Sequence, residues 1–285
     1  MRQGLLMRTV VISWRPWAAR ILLDWVASRG DELVLIETTQ GRPSLRGDHW
    51  KGVADLIPFD VPAIVARRPS QAVPLIEALE PDLVVSFSYP HLLDARTIAA
   101  AKVGAINVHP GRLPQYRGVN PMWAIYRGEP EIDVSVHRLA SEFDTGDVLA
   151  VQTAVLDATP TPEHILDLWT ATTGPTLDAA VTRLVAGDRG EPQPAGDVEL
   201  LPLFSPRDGE LDWHETTRTL MCRWTACALG GTAVTLPIEG QRRGVVGLRV
   251  VSDAETSAPP GTVLSSLGHD HIVAARDGLL LAEVE

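Results

Sequence analysis

The residues best suited to chemistry lie in one stretch, Ala105 to Val148, which reads AINVHPGRLPQYRGVNPMWAIYRGEPEIDVSVHRLASEFDTGDV. Asn107 and His109 stand two apart as a short β-prone run ends, and Asp144 stands in a tight acidic turn, Phe143-Asp144-Thr145-Gly146-Asp147. An amide, an imidazole and a carboxylate together suit attack on a carbonyl. The Asn107 amide never titrates and can hold an oxygen that turns negative, worth ~3–4 kcal/mol for one such donor. His109 can donate to the same oxygen and carry a proton near neutral pH. Asp144 can set the imidazole's tautomer and raise its basicity, directly or through water. Each residue also has a plain structural reading: His109-Pro110 as a turn, Asn107 as a turn former, Asp144 as an Asx turn before Gly146. Their joint occurrence, with every role filled, is what argues for a site.

Something must bring these groups together. Gly104 to Val108 reads as the strand that delivers Asn107 and His109. Pro110, Gly111, Pro114 and Gly118 hold the following chain out of helix or strand until about Pro121. Val119 to Tyr126 then reads as a short helix opened by Asn120 and Pro121, and Ile132 to Leu139 and Val148 to Val155 read as strands. Upstream, Thr9 to Ser13 is a buried-type strand. Pro16 opens a helix that Gly30 ends, and Leu33 to Ile36 is the next strand, giving the β-α-β start of a parallel sheet. Val61 to Val65, Asp82 to Ser88 and helices over Ser70 to Leu79, with Ser70 as N-cap, and Asp94 to Ala101 continue it. Thr161 and Pro162 open a long helix to Leu184, with a possible break at Gly174-Pro175.

Asn107-x-His109-Pro110, then Leu113-Pro114-x-Tyr116-Arg117-Gly118-x-x-Pro121, then Asp144-Thr145-Gly146-Asp147 closely resembles the folate-dependent formyltransferases. That family includes methionyl-tRNA formyltransferase, glycinamide ribonucleotide formyltransferase and the sugar N-formyltransferases. The resemblance implies formyl transfer from 10-formyltetrahydrofolate to an amine by direct attack. Asn107, His109 and Asp144 take the catalytic roles, with no covalent enzyme intermediate and no metal. It also implies cofactor contacts at Phe87, Ser88, Tyr89, Leu139, Glu142 and Asp144, the loop from Ser86 to His91 turning its backbone toward the pterin ring. Arg15, Tyr116, Arg117, Gly118, Asn120 and His137 are implied on the acceptor side. Tyr116 and Arg117 either brace their loop or touch acceptor, and His137 either borders the pocket or only packs. The other six histidines lack a supporting context, and Trp14, Trp17 and Trp123 either line a pocket or pack. The family's first turn carries a Gly-Ser/Thr-Pro step; here it is Ser13-Trp14-Arg15-Pro16-Trp17, with the proline and without the glycine.

The fold implied is α/β: a Rossmann-like, mostly parallel sheet forming an N-terminal formyltransferase domain over residues 1–190, a Pro/Gly-rich linker at 187–198, and a small C-terminal β-barrel, OB-like, over 199–285. In that last part a helix over Trp213 to Leu229 precedes five short β-like runs, from Thr232 to Val284, separated by Gly, Pro and Asp. The RDGELDW segment at Arg207 to Trp213 resembles the opening of the C-terminal domain in the two-domain members.

At 285 residues with 45% hydrophobic content, the chain is long enough for one large or two modest domains, and no apolar run approaches the ~20 residues of a membrane helix. Without a signal-like cleavage pattern, and with Met1 or Met7 as start, it reads as cytoplasmic, its Cys222 and Cys227 reduced. A net charge of −11 disfavours a general nucleic-acid binder. Residues 201–285 hold seven arginines against eleven acidic residues, a poor clamp for tRNA, and the loop from Thr38 to Lys51 is short with mixed charges. The acceptor expected is therefore a primary or hydroxylated amine on a small molecule, an amino sugar or an amino-acid-derived metabolite. Methionyl-tRNA is the alternative, and a 10-formyltetrahydrofolate hydrolase or a non-catalytic folate binder are further readings. An oligomer is compatible with all of them.

Overall fold

The computed structural model describes residues 6–40, 49–194, 200–254 and 256–285, without the Trp50 side chain. Most of the short mixed-charge loop, the end of the expected linker and Met1 fall outside those residues.

Seven strands form one sheet: β1 (Arg8–Ser13), β2 (Glu32–Thr39), β3 (Ala63–Ala66), β4 (Leu83–Phe87), β5 (Gly104–His109), β6 (Glu131–Arg138) and β7 (Val148–Val155). Their order is β3-β2-β1-β4-β5-β6-β7. The pairs from β3 to β5 are parallel, and β6 runs antiparallel to β5. The chain winds outward from β1 through β2 and β3, then restarts on the other side at β4. In open α/β sheets the carboxyl ends around such a reversal form the usual crevice. The apolar runs that predict these strands are buried: Val10, Val11, Ile12, Leu83, Val84 and Val85 are all fully enclosed.

Between the strands lie α1 (Pro16–Arg29), α2 (His49–Ala54), α3 (Val73–Leu79), α4 (Ala95–Ala100), the one-turn α5 (Trp123–Tyr126) and α6 (Pro162–Val185). Gly30 ends α1 in the left-handed conformation at φ +71°, donating to Ala27 and Val26 carbonyls, and Asp94 caps α4. Three expected details differ. Ser70 is not an N-cap: it sits inside a 3₁₀ turn over Pro69–Gln71, which the Gln71 side chain holds by accepting from the Arg67 and Arg68 amides, and α3 starts after Ala72. The helix expected from Val119 is confined to Trp123–Tyr126, closed by Gly128 at φ +70°. Helix α6 runs through Pro175, flanked by Thr172 and Thr176 hydroxyls that donate to the Leu168 and Thr172 carbonyls.

The chain divides into two compact units. One comprises Met1–Gly118, Asp133–Thr153 and Leu168–Glu199; the other comprises Val119–Ile132, Ala154–Asp167 and Leu200–Glu285. The second therefore draws two short segments from within the first 190 residues. It carries α7 (Thr217–Gly230) and an antiparallel five-stranded sheet, β8 (Val234–Ile238), β9 (Gln241–Ser252), β10 (Val263–Leu267), β11 (Asp270–Ala274) and β12 (Leu279–Val284), in the order β10-β11-β12-β9-β8. Helix α7 starts at Thr217 with Thr216 as its cap rather than at Trp213. Trp213 instead is buried, its indole N–H on the Pro237 carbonyl at 2.6 Å. Helix α5 packs here too: Trp123, Tyr126 and Phe204 form an aromatic cluster with centroids 4.7–5.1 Å apart. Cys222 and Cys227 are free thiols. No helix among the described residues is long and apolar enough to cross a membrane.

Candidate active site

In a paired sheet, residues opposite one another in the register share a face. One row across the first unit reads Glu37, Ile12, Ser86, Asn107, His137. The row one step toward the amino ends of the parallel strands reads Leu35, Val10, Val84, Ala105 and is buried core. Polar chemistry thus begins abruptly at the carboxyl edge of this face.

Within that row the Ser86 hydroxyl donates to Asn107 Oδ1 at 2.5 Å, and Asn107 Nδ2 lies 3.1 Å from His137 Nε2. The other His137 nitrogen, Nδ1, donates to the Arg138 carbonyl at 2.8 Å. With Nδ1 used as the donor to the Arg138 carbonyl, Nε2 is the ring atom that accepts from the Asn107 amide. Asp144 reaches the same place from its turn: Oδ1 is 3.4 Å from His137 Nε2, and Oδ2 is 3.6 Å from His109 Nδ1. His109 Nε2 donates to the Tyr116 carbonyl at 2.6 Å, which leaves Nδ1 facing the carboxylate. The two imidazoles are almost fully buried, at 4% and 2% exposed, whereas Asn107 is half-buried.

Burial pushes the His109 imidazole below its ordinary value; nearby Asp144 opposes this, and His137 adds to it. Burial alone would raise the Asp144 carboxyl, but the positive charge that the facing His109 and His137 rings can take up, together with the Gly118 amide, outweighs it and holds the carboxyl well below the usual carboxylate range. The resting pair is thus an ionised carboxylate beside an imidazole that resists charge.

Several contacts fix the Asp144 turn. Asp144 adopts φ +55°. Gln193 donates to the Asp144 carbonyl at 2.8 Å and the Gly146 carbonyl at 2.7 Å, and accepts from Arg117 Nη2 at 2.5 Å. The His109-Pro110 loop is pinned by Ser135, whose hydroxyl donates to the Gly111 carbonyl and accepts from the Leu113 amide, and by Arg112, which holds Asp133 with two N–H groups.

The structure therefore brings together Asn107, His109, Asp144 and His137, with Tyr116, Arg117 and Gly118 in the adjoining loop. His137, left between packing and pocket by the sequence, touches both Asn107 and Asp144. The remaining expected residues stand elsewhere. The Phe87 side chain is fully buried, edge-on to Trp17 at 5.0 Å, so only its backbone is placed for a ligand, and its carbonyl accepts from Ser13. Ser88 adopts φ +52°. Tyr89 and Leu139 both pack on the cluster around Val10, Ile12 and Val84. Glu142 is exposed on the turn. Arg15 is half-buried over the Trp14 ring, its Nη1 2.9 Å from His49 Nε2. Asn120 is buried within the second unit. Trp14 is buried, Trp17 stacks on Trp169, and Trp123 belongs to the aromatic cluster, so all three pack. No group of three metal-type ligands occurs among the described residues.

The sequence reading did not single out Gln193 or Glu37, and it took Ser86 only as the start of the loop that turns its backbone toward a pterin ring. Ser86 and Glu37 leave a faint trace as lone polar residues in the apolar runs LVVSF and VLIET; Gln193, in a polar linker, leaves none.

Residues 59–172 match the model of the formyl transferase family, and residues 204–284 match that of the formyl transferase C-terminal domain. The chain is 30% identical to a methionyl-tRNA formyltransferase of Pelobacter propionicus, over 97% of this chain and 88% of that one. It is also 30% identical to one of Anaeromyxobacter, covering 93% and 86%. Among solved structures, an N-formyltransferase from Helicobacter canadensis, in complex with folinic acid and dTDP-3-aminofucose, superposes with a TM-score of 0.65 at 12% identity, covering 98% of this chain and all of that one. HypX from Aquifex aeolicus in complex with tetrahydrofolic acid superposes at 0.70 and 19% identity, and this chain spans 44% of its length. These two share the fold. The chain belongs to the folate-dependent formyltransferase family.

Proposed function

We propose that the chain transfers a formyl group from 10-formyltetrahydrofolate to a primary amine. The observation that carries this is the convergence of Asn107, His109, His137 and Asp144 at the carboxyl edge of the sheet, with separations of 3.1–3.6 Å. The residues present fit a reduced pterin. Tyr89 and Leu139 offer half-buried apolar walls on one cluster, and the backbone beside them leaves strand geometry at Ser88. Apolar walls next to main-chain hydrogen-bonding groups suit a planar ring with polar edges. When bound, 10-formyltetrahydrofolate supplies the formyl carbonyl.

The protein's part follows from its hydrogen bonds. Asn107 has one amide N–H committed to His137, and the second is free to hold the oxygen that becomes negative. His109, kept neutral by burial, offers Nδ1 as acceptor for the proton the attacking amine must lose. Once protonated there, it faces Asp144 Oδ2 and forms an ion pair, and it returns that proton to the folate nitrogen that leaves as its bond to the formyl carbon breaks. The second oxyanion donor expected from His109 is, in this structure, spent on the Tyr116 carbonyl.

For the acceptor, the relatives support methionyl-tRNA: the matches at 30% identity run nearly end to end and carry that name. A small-molecule amine is the second reading, favoured by the net charge of −11 and the acidic excess of residues 201–285. Incubation with 10-formyltetrahydrofolate and either charged initiator tRNA or a panel of amino sugars, reading free tetrahydrofolate, separates the two. Formate release without any acceptor would instead indicate a hydrolase. Asn107→Ala and His109→Ala should each lose ~100-fold or more in turnover while still binding folate; near-normal turnover by either would overturn the assignment.

A further inference from the structure

We infer that Ser86 is a positioning residue for the transfer reaction: its hydroxyl fixes and polarises the Asn107 amide, so that one N–H is held out for the developing oxyanion. This rests on the formyl-transfer reading above and adds a residue that the three-residue motif does not contain.

A buried hydroxyl in a strand is costly unless it is hydrogen-bonded, and an apolar residue would serve the fold at this position. Ser86 is 3% exposed in the run LVVSF, whose other four members are enclosed apolar residues. Its hydroxyl donates to Asn107 Oδ1, its direct neighbour in the parallel β4–β5 register. The Asn107 amide then has a complete account. Oδ1 accepts from Ser86, and one Nδ2–H goes to His137 Nε2, an acceptor because Nδ1 donates to the Arg138 carbonyl. The second Nδ2–H has no partner among the described residues, and Asn107 is the member of this row that is only half-buried. A flipped amide would set Oδ1 against the lone pair of His137 and turn Nδ2 toward Ser86. The two neighbours therefore select one orientation. Donation to an amide oxygen also strengthens that amide's own N–H groups as donors, because hydrogen bonds in a chain polarise one another. Removing the Ser86 hydroxyl weakens the bond that matters when charge develops, without removing it.

A double-mutant cycle over Ser86→Ala and Asn107→Ala tests this, with turnover and KM for 10-formyltetrahydrofolate measured for all four proteins. Ser86→Ala should lower kcat by about 5- to 10-fold, the weight of one hydrogen bond. KM and the thermal midpoint should stay near wild type. In the Asn107→Ala background the same change should cost less than about 2-fold, because the group through which Ser86 acts is gone. Full turnover by Ser86→Ala, an equal loss in both backgrounds, or a loss confined to KM would each overturn the proposal. Near-normal turnover by Asn107→Ala alone would instead strike the formyl-transfer reading on which it rests. A structural role independent of Asn107 is separated by Ser86→Cys, which keeps the volume with a weaker donor: kcat between those of serine and alanine supports positioning, and kcat equal to wild type overturns it.

Discussion

Replacing Glu37 by glutamine should make the protein more stable at alkaline pH and leave it nearly unchanged in acid. Glu37 is fully buried on β2, where burial pushes its carboxyl up to about 7 although Tyr89 donates to Oε1 at 2.7 Å, and its Oε2 has no partner among the described residues. The folded value is raised, so the native state holds this proton longer than the unfolded chain. Its contribution to stability is complete below the unfolded value of 4.5 and is lost as pH rises through about 7. The full gap between those values is worth ~3 kcal/mol once both states have ionised. Glutamine keeps the acceptor for Tyr89 and never ionises. Urea unfolding at about pH 5 should therefore place Glu37→Gln within ~1 kcal/mol of wild type, and at about pH 8.5 should place it ~3 kcal/mol above. Parallel pH–stability curves for the two proteins would refute the reasoning, since they would mean that Glu37 ionises alike when folded and unfolded.

Two further substitutions probe the Asp144 turn. A Cβ at Gly146 would fall on the Arg138 carbonyl oxygen, so Gly146→Ala should destabilise by ~2–3 kcal/mol and lower turnover at least about 10-fold, checked by thermal unfolding and steady-state kinetics. Gln193→Ala removes both donors to the Asp144 and Gly146 carbonyls and the acceptor for Arg117, and should cost ~1–3 kcal/mol with a fall in kcat. Gln193→Glu should not rescue it, because a carboxylate can satisfy Arg117 but cannot donate to two carbonyls; recovery in Gln193→Glu would show that Arg117 is the contact that counts.

Strands of continuous apolar residues, the Gly30 and Asp94 helix ends and the three-part motif were readable because each depends on neighbours along the chain. Other features depend on partners far away in sequence. Ser70 looks like an N-cap, but Gln71 reaches back to two amides and makes the turn its own. Pro175 looks like a break, yet α6 carries through it between two threonines bonded to the helix carbonyls. His137 resembled a packing residue because its place beside Asn107 exists only in the antiparallel β5–β6 register, set by a turn of more than twenty residues. Gln193 sits in a stretch whose composition says linker, and its role follows only from where α6 returns the chain.

The row from Glu37 to His137 explains why one edge of this sheet carries so many displaced titrations. Successive same-face residues on a strand are ~6.6 Å apart, so the polar row lies a single step above the packed layer of Leu35, Val10, Val84 and Ala105. Charge placed there is poorly solvated from below, and each titrating group answers according to its company. Glu37, with Tyr89 as its hydrogen-bond partner among the described residues, keeps its proton up to about 7. His109, reached from the next strand position, sheds its charge despite facing a carboxylate. Asp144, which accepts from the Gly118 amide and faces two imidazoles able to take up charge, stays ionised. The same low-dielectric step that makes a resting imidazolium costly makes an ion pair with Asp144 strong once the amine's proton arrives. A site placed one residue further from the core would lose both halves of that contrast.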